Sequence, residues 1–442
     1  MKLLVTVLGR RPAEYVNVHW RVDGKCYGPL GPPAQALAEH EQVTHALLLI
    51  PDSLLEVTSH GESSDLCRQA AEWTEEMGEI FEPFVLPSRY APKIQGSVLD
   101  FYYAALYHIV DWFRQHVPKS ERSFTILLEG STGLNVLQLL LYRTVQDFAQ
   151  TLAYTREVEL KVYTADPVTR QMEDQEVALH LTESRQVIPM LPHFGLLNNA
   201  NLLQPGKEVG GDPKYREKRD ALNRYWHQND LLTFLAAVYQ GIPLGILTWY
   251  PKQANEAWKV LTTLYRYALM KASFHEGRVV RQVELSEWWR TYALGFLLAI
   301  ELRTHFSESL ERWQETEFAT LQNLDKLVAK LYRYAPVLLN RFQAERSLQN
   351  IDIEKLKSLS TPVLLVQVGR SSCEAGSIRK DPAEHGPPGP DKRNFFAHMG
   401  FERNAVEAVL TADGEIGFRY SENSRNSIQK YLRESVKTSK QR

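Results

Sequence analysis

The chain has 442 residues, too many for one ordinary core, so two or three domains are expected. Its 53 acidic and 51 basic side chains nearly cancel, which argues against a protein that coats nucleic acid and confines any RNA or DNA contact to a small site. Three widely separated cysteines (Cys26, Cys67, Cys373) lack metal-ligand spacing and argue against a disulfide framework or a zinc site. No apolar run is long enough for a signal peptide or a membrane span, so a cytoplasmic protein without membrane association is expected.

From the N-terminus, short apolar runs alternate with helical patterns. Leu3–Leu8, Ala46–Ile50, Phe84–Leu86, Phe124–Leu128 and Val158–Tyr163 read as buried strands. Leu66–Met77, Val98–His116 and Leu134–Leu152 read as the helices between them. That alternation predicts a Rossmann-like α/β domain with a mostly parallel sheet covered on both faces. Tyr15–Tyr27 alternates around Asp23-Gly24 and predicts a hairpin inserted after the first strand.

Ligands of such sheets bind beyond the C-terminal strand ends. Two loops fall there. One is Gly9-Arg10-Arg11-Pro12; the other is Glu129-Gly130-Ser131-Thr132-Gly133-Leu134-Asn135. Glycines admit a ligand close to the backbone, hydroxyls donate hydrogen bonds, and a helix N-terminus favours anions. A phosphate or nucleotide cradle is one reading. An ordinary turn with Ser131 or Thr132 as N-cap is the other, and the chemistry alone tilts slightly towards it. The dinucleotide fingerprint G-x-G-x-x-G is absent from both loops, which argues against a nicotinamide dehydrogenase.

Near residue 190 the texture changes. Pro189, Pro192 and the run Pro205–Pro213 mark a linker or loop. Helical periodicity then dominates over 214–240, 254–272, 284–306, 309–331 and 335–346, giving a mostly α-helical C-terminal region. Trp226, Trp249, Trp258, Trp288, Trp289 and Trp313 read as the core of these helices. The expected division is 1–190, a helical linker region 191–245, and 246–442. A long Gly- and Pro-rich loop, 371–390, precedes a helix start with Asp391 as N-cap. Phe396, Met399, Gly400, Val406 and Val409 are candidates for its core face. A hairpin turning at Asp413-Gly414 and a last amphipathic helix, Ser421–Val436, complete the region.

Arg393-Asn394-Phe395-Phe396-Ala397-His398 carries chemistry. An arginine clamps a phosphate and a histidine moves a proton at neutral pH, so the pair suffices to break a phosphodiester without a metal. Arg379 and His385 have similar spacing, but they lie among prolines and glycines where no helix fixes their geometry.

These residues resemble the CRISPR-associated CARF–HEPN ribonucleases of type III systems, the Csx and Csm type effectors. The HEPN pattern is an arginine, four to six residues and a histidine, often with a polar residue after the arginine; here it reads Arg393, Asn394, His398. Ala397-His398-Met399-Gly400-Phe401-Glu402, followed by a helix and hairpin, is also similar. At the other end, Glu129-Gly130-Ser131-Thr132-Gly133 and then Asn135 is similar to the family's Asp-x-Thr-His-Gly segment and following Asn. Glu stands for Asp, Ser for Thr and Thr for His. The resemblance implies a CARF domain over 1–190 and a HEPN domain over 246–442.

The resemblance also implies the activity. It is metal-independent cleavage of single-stranded RNA to 2′,3′-cyclic phosphate ends, switched on by a cyclic oligoadenylate, with cyclic tetra-adenylate the family-level expectation. No other cofactor is implied. Arg393, Asn394 and His398 would be catalytic; Gly9, Arg10, Arg11, Ser131, Thr132, Gly133 and Asn135 would hold the messenger. A homodimer, open to higher assembly, would bring two Arg and two His into each pocket. The rival readings are a CARF-type regulator of transcription, a standalone HEPN toxin, and a ring nuclease that degrades the messenger. Ring size, RNA sequence preference and the role of the middle helices are not legible in the sequence.

Overall fold

The computed structural model describes residues 1–55, 63–88, 94–95, 97–192, 201–204, 206–275, 278–348, 351–359, 361–368 and 389–436. The chain forms two compact units. One comprises Met1–Met190, Leu197–Arg224 and Asn255–Leu298; the other comprises Leu191–Leu196, Tyr225–Ala254 and Ala299–Arg442.

The first unit is built on β1 (Lys2–Val7), β2 (Val18–Val22), β3 (Lys25–Leu30), α1 (Pro33–His40), β4 (His45–Pro51), α2 (Ser63–Met77), β5 (Phe81–Leu86), α3 (Leu99–His116), β6 (Ser123–Glu129), α4 (Asn135–Leu152), β7 (Glu157–Ala165) and β8 (Glu176–Gln186). The sheet order is β3-β2-β8-β7-β6-β1-β4-β5. The five strands from β7 to β5 run parallel, as the five apolar runs predict. β1, β4 and β6 are nearly continuous in apolar residues because both faces are buried, whereas β5 at the sheet edge and β7 are only partly buried. Leu4, Leu48 and Leu127 pack on one side in a cluster with Leu37 of α1 and Trp73 of α2. Phe124 meets Phe113 of α3 and Phe148 of α4 edge to face.

The hairpin β2–β3 forms with Asp23 and Gly24 both at positive φ, the turn its sequence predicts. It joins the main sheet through β8, which pairs antiparallel with β7 and parallel with β2. Neither α1 nor β8 is legible as an apolar run.

The chain turns aside in both directions from β1: β4 and β5 lie on one side of it, β6 and β7 on the other. Crossovers that diverge from a central strand leave a crevice at its C-terminal end. The Gly9 and Gly133 loops are the ones placed there.

The sheet's other end is tied by charge. Glu41, 6% exposed, accepts Lys2 Nζ at 2.7 Å, Lys161 Nζ at 2.9 Å and Tyr163 Oη at 2.7 Å. Burial alone would raise its pKa, but these donors together bring it down to about 2.

The helical regions differ in detail from their periodicity. The stretch 214–240 is two helices, Pro213–Tyr225 and Gln228–Gln240, because His227 caps the second by accepting the Asn229 N–H. The 254–272 stretch is the helix Ala254–Met270. Trp288–Thr316 is one long helix kinked at Phe306, so the expected helix 309–331 is divided. Glu317 at positive φ and a short strand, Ala319–Thr320, separate Thr316 from Leu321–Leu331. The stretch 335–346 is Pro336–Leu348. Five of the six tryptophans are buried; Trp249 is half-buried.

In the second unit the strands Val406–Leu410 and Ile416–Tyr420 form the expected hairpin, with Gly414 at positive φ. Ala319–Thr320 and Val363–Leu364 extend it to four antiparallel strands. The helix Glu422–Ser435 follows. The fold class is therefore the one expected: a mostly parallel, Rossmann-like α/β sheet, then a mostly helical region with a small antiparallel sheet. Among the described residues no helix is long and apolar enough to cross a membrane.

The Glu41 cluster gives a pH-dependent expectation. A carboxylate depressed from 4.5 to about 2 adds stability that is present above about 4.5 and is lost as pH falls towards 2. Glu41→Gln is expected to cost about 2 kcal/mol at pH 7, below the roughly 3–5 kcal/mol of a fully buried pair because Lys2 is 40% exposed. Urea unfolding of both proteins at several pH values should show the gap narrowing below pH 4.5.

Candidate functional site

At the crevice the backbones of two loops touch. A Cβ on Gly9 would lie 2.6 Å from Gly133 N and 2.9 Å from its Cα. Gly133 itself sits at φ 94°, a conformation that glycine adopts at no cost. Their contact forms one wall of a cavity of about 510 Å³ whose lining includes Arg10, Tyr15, Trp20, Ser131, Leu134 and Asp166.

Glu129 organises the loop from below. Its buried carboxylate accepts the Thr6 hydroxyl at 2.8 Å and the Ser131 N–H at 2.6 Å. Thr132 Oγ1 sits between Glu129 Oε2, 2.8 Å away, and the Val7 carbonyl, 2.6 Å away. Thr132 thus faces inward and ties β1 to the loop. Ser131 Oγ accepts the Ala165 N–H at 2.6 Å, which leaves its own proton to donate.

Neither hydroxyl caps α4. The N-cap position is Leu134, which has no capping side chain, so the capped-turn reading is corrected: Ser131 and Thr132 are committed to β7 and β1 instead. The first amides of α4 are left without a side-chain cap beside the cavity.

The other expected residues divide. Gly9, Arg10, Ser131, Thr132 and Gly133 line the cavity. Arg11 turns away, its guanidinium donating to Glu76 Oε1 at 2.6 Å, and Asn135 opens α4 at an exposed position outside the lining.

Tyr15, Trp20 and Asp166 were not legible as site residues. Tyr15 Oη accepts the Gly9 N–H at 3.0 Å, and Arg10 lies over its ring at 5.4 Å. Burial pushes the Tyr15 phenol up to about 12, so it stays a neutral donor. The Gln138 amide lies near Gly130 and Gly133, and neither of its polar atoms has a hydrogen-bond partner among the described residues. Only the alternation around Tyr15 in the sequence hinted at any of them.

The second group of candidates lies on a six-residue helix, Lys392–Ala397. Asp391 caps it as predicted, accepting the Asn394 N–H at 2.7 Å. The expected longer helical run stops here, because Met399 and Gly400 both take positive φ, 47° and 89°. Gly400 N–H returns to the Phe395 carbonyl at 2.8 Å, a glycine-assisted helix stop. A Cβ on Gly400 would strike Ile242 and the Tyr420 hydroxyl at 2.6 and 2.7 Å.

Phe395, not Phe396, is the buried anchor; Phe395 packs near Tyr420 and Tyr431, while Phe396 is half-buried. Met399, Gly400 and Val406 are buried as expected, and Val409 is half-buried. Arg393 and Asn394 are exposed, and among the described residues nothing pairs with the Arg393 guanidinium.

His398 is the C-cap, 47% exposed. Its Nδ1 lies 3.1 and 3.2 Å from the two carboxylate oxygens of Glu345. One turn earlier on the helix Pro336–Leu348, Arg341 donates to the carbonyls of Phe396 at 2.8 Å and Ala397 at 3.4 Å. Glu402, behind the turn, is buried; burial pushes its carboxyl up against the pull of the Asn404 donors. Beyond a helical pattern, nothing in the sequence marks Arg341 or Glu345. Arg379 and His385 lie outside the described residues.

Residues 3–167 match the family described as the CARF domain of the CRISPR system endoribonuclease Csx1. Residues 342–422 match the family described as the HEPN domain of the same enzyme, a span that contains Glu345, Arg393 and His398. CRISPR system endoribonuclease Csx1 of Methanocaldococcus jannaschii is 20% identical over 370 residues, 77% of this chain and 72% of that protein. Among solved structures, Enterococcus italicus Csm6 bound to cyclic hexa-2′-fluoro-hexa-dAMP covers 77% of this chain and 94% of its own, at 10% identity and TM-score 0.24. Protein VC1899 from Vibrio cholerae covers 71% and 69%, at 13% identity and TM-score 0.22. At those scores neither superposition carries an argument.

The contact between the loops is testable alone. Gly9→Ala has no room without parting two backbones and should cost about 1–3 kcal/mol, as overpacking does. Gly210→Ala, whose Cβ would meet nothing within 4 Å, is the neutral control; thermal unfolding of the two variants compares them.

Proposed function

The chain belongs to the CRISPR-associated CARF–HEPN ribonucleases, and on that premise we propose that it cleaves single-stranded RNA when a cyclic oligoadenylate occupies the N-terminal crevice. The observation that carries this reading is the exposed Arg393 and Asn394 on the helix that ends at the half-exposed, carboxylate-paired His398.

In the first step the RNA 2′-oxygen forms a bond to phosphorus and the bond from phosphorus to the 5′-oxygen breaks. The products are a 2′,3′-cyclic phosphate and a 5′-hydroxyl. Arg393, free of an internal ion pair among the described residues, stabilises the charge that builds on the phosphate oxygens. His398 takes part in the proton transfer, and Asn394 orients the 2′-hydroxyl or the phosphate.

The crevice suits the messenger in its chemistry. Arg10 and the uncapped amides of α4 favour phosphates, Ser131 and Tyr15 supply neutral donors, and Trp20 offers an aromatic wall. Cyclic tetra-adenylate is the ring proposed, bound within residues 1–190, with cleavage assigned to the HEPN region within 246–442. A homodimer fits the apolar residues left on α4 and its cap: Leu139 is 69% exposed, and Val136 and Leu134 are exposed beside it. A second copy of this chain would cover them and bring a second Arg–His pair to each pocket. The alternative reading, messenger degradation in the crevice, has Ser131 as its candidate group, since its hydroxyl proton is free to act.

His398→Ala should lower RNA cleavage by roughly 100- to 10,000-fold. Arg393→Lys should fail comparably, since lysine keeps the charge and loses the fork. A fluorescent RNA assay in EDTA with end-group analysis of the products checks both; full cleavage by either variant contradicts the assignment. Arg10→Ala should weaken binding of cyclic tetra-adenylate, measured by calorimetry beside the cyclic tri- and hexa-adenylates, without changing the unfolding midpoint.

A further inference from the structure

We propose that Glu345 is a positioning residue for His398: its carboxylate keeps the imidazole proton on Nδ1 and presents Nε2 as the nitrogen that exchanges a proton with RNA. The proposal rests on the ribonuclease reading and specifies how its histidine is set.

The geometry is asymmetric. The Glu345 side chain is only 12% exposed, whereas that of His398 is 47% exposed. Both carboxylate oxygens reach the same ring nitrogen, Nδ1, at 3.2 and 3.1 Å. Among the described residues that nitrogen is the carboxylate's hydrogen-bond partner. A carboxylate accepts only, so Nδ1 must carry the proton, in the neutral ring and in the imidazolium alike. The nitrogen whose protonation varies is then Nε2. A buried carboxylate is costly unless paired, so the contact constrains Glu345 as much as His398.

The same helix fixes the distance. Arg341 and Glu345 are one turn apart, and Arg341 holds the carbonyls of Phe396 and Ala397, the two residues before His398. One helix therefore grips both the backbone that carries the histidine and the ring itself.

In the attack step the 2′-hydroxyl proton passes to Nε2 of one His398 as the O2′–P bond forms. The P–O5′ bond breaks, and the 5′-oxygen takes a proton from the imidazolium of the second protomer. Glu345 exchanges no proton; it stabilises the imidazolium and prevents the ring from turning.

The test uses the full chain with Glu345→Gln, Glu345→Asp and His398→Ala. Steady-state cleavage of single-stranded RNA is measured with saturating cyclic tetra-adenylate. The protonated nitrogen of His398 is read from 15N imidazole resonances of histidine-labelled protein, assigned by difference against His398→Ala. Glu345→Gln, whose amide can donate or accept, should lower kcat roughly 10- to 100-fold, less than the roughly 100- to 10,000-fold loss of the general acid–base group itself, with KM little changed. Its His398 should lose the preference for Nδ1–H, and Glu345→Asp should recover part of kcat.

Unchanged kcat with unchanged resonances in Glu345→Gln overturns the proposal. So does a loss of kcat with the Nδ1–H preference intact, since that is a structural effect alone, or a rise in KM at constant kcat. Full activity in His398→Ala would overturn the role of His398, whereas no RNA cleavage by the unaltered chain at any messenger concentration would overturn the ribonuclease reading on which the proposal rests.

Discussion

Two left-handed residues in succession, Met399 and Gly400, decide where His398 stands. They stop the helix Lys392–Ala397 after six residues and turn the chain back under it, with the Gly400 N–H on the Phe395 carbonyl. Only glycine fits the second position, both for its φ and for the space left by Ile242 and Tyr420. The buried Phe395 and Met399 then hold the short helix to the core while its polar residues stay outside.

The N-terminal crevice obeys a different constraint. Crossovers that leave β1 in opposite directions leave open the space above its end, and two glycine loops meet there backbone to backbone. The side chains best suited to hold the loops from within, Glu129 and Thr132, are used for that purpose. A carboxylate beneath the loop and an inward threonine fasten β1 to β6, and Arg10, Tyr15, Ser131 and Leu134 are left lining the cavity.

Much of this was legible in sequence because burial on both faces forces strands to be apolar. β1, β4 and β6 announce themselves that way and the partly buried β5 and β7 by shorter apolar runs, while Asp23-Gly24, Asp391 and Asp413-Gly414 mark a turn, a cap and a turn by local chemistry. β8 escaped because it is half exposed and spells Glu-Val-Ala-Leu-His-Leu-Thr-Glu, with only Val177 and Leu179 fully inside. The long helical stretches were misdivided where a cap such as His227, or a non-glycine residue at positive φ such as Glu317, interrupts an otherwise continuous pattern. Glu345, Tyr15 and Asp166 were silent for a further reason. Glu345 acts on His398 across 53 residues, which no spacing rule encodes, and Tyr15 and Asp166 meet only where separate loops fold around one cavity. Arg11 illustrates the converse, a residue in the right loop whose charge is already taken by Glu76.

Coupling between messenger and cleavage requires that the messenger bind the two states with different affinity. The most direct measurement is the initial rate of RNA cleavage by the intact protein as cyclic tetra-adenylate is titrated from zero to saturation. The rate should rise from near background to a plateau, with a midpoint that matches the binding constant. A rate that is the same at every messenger concentration would contradict the account.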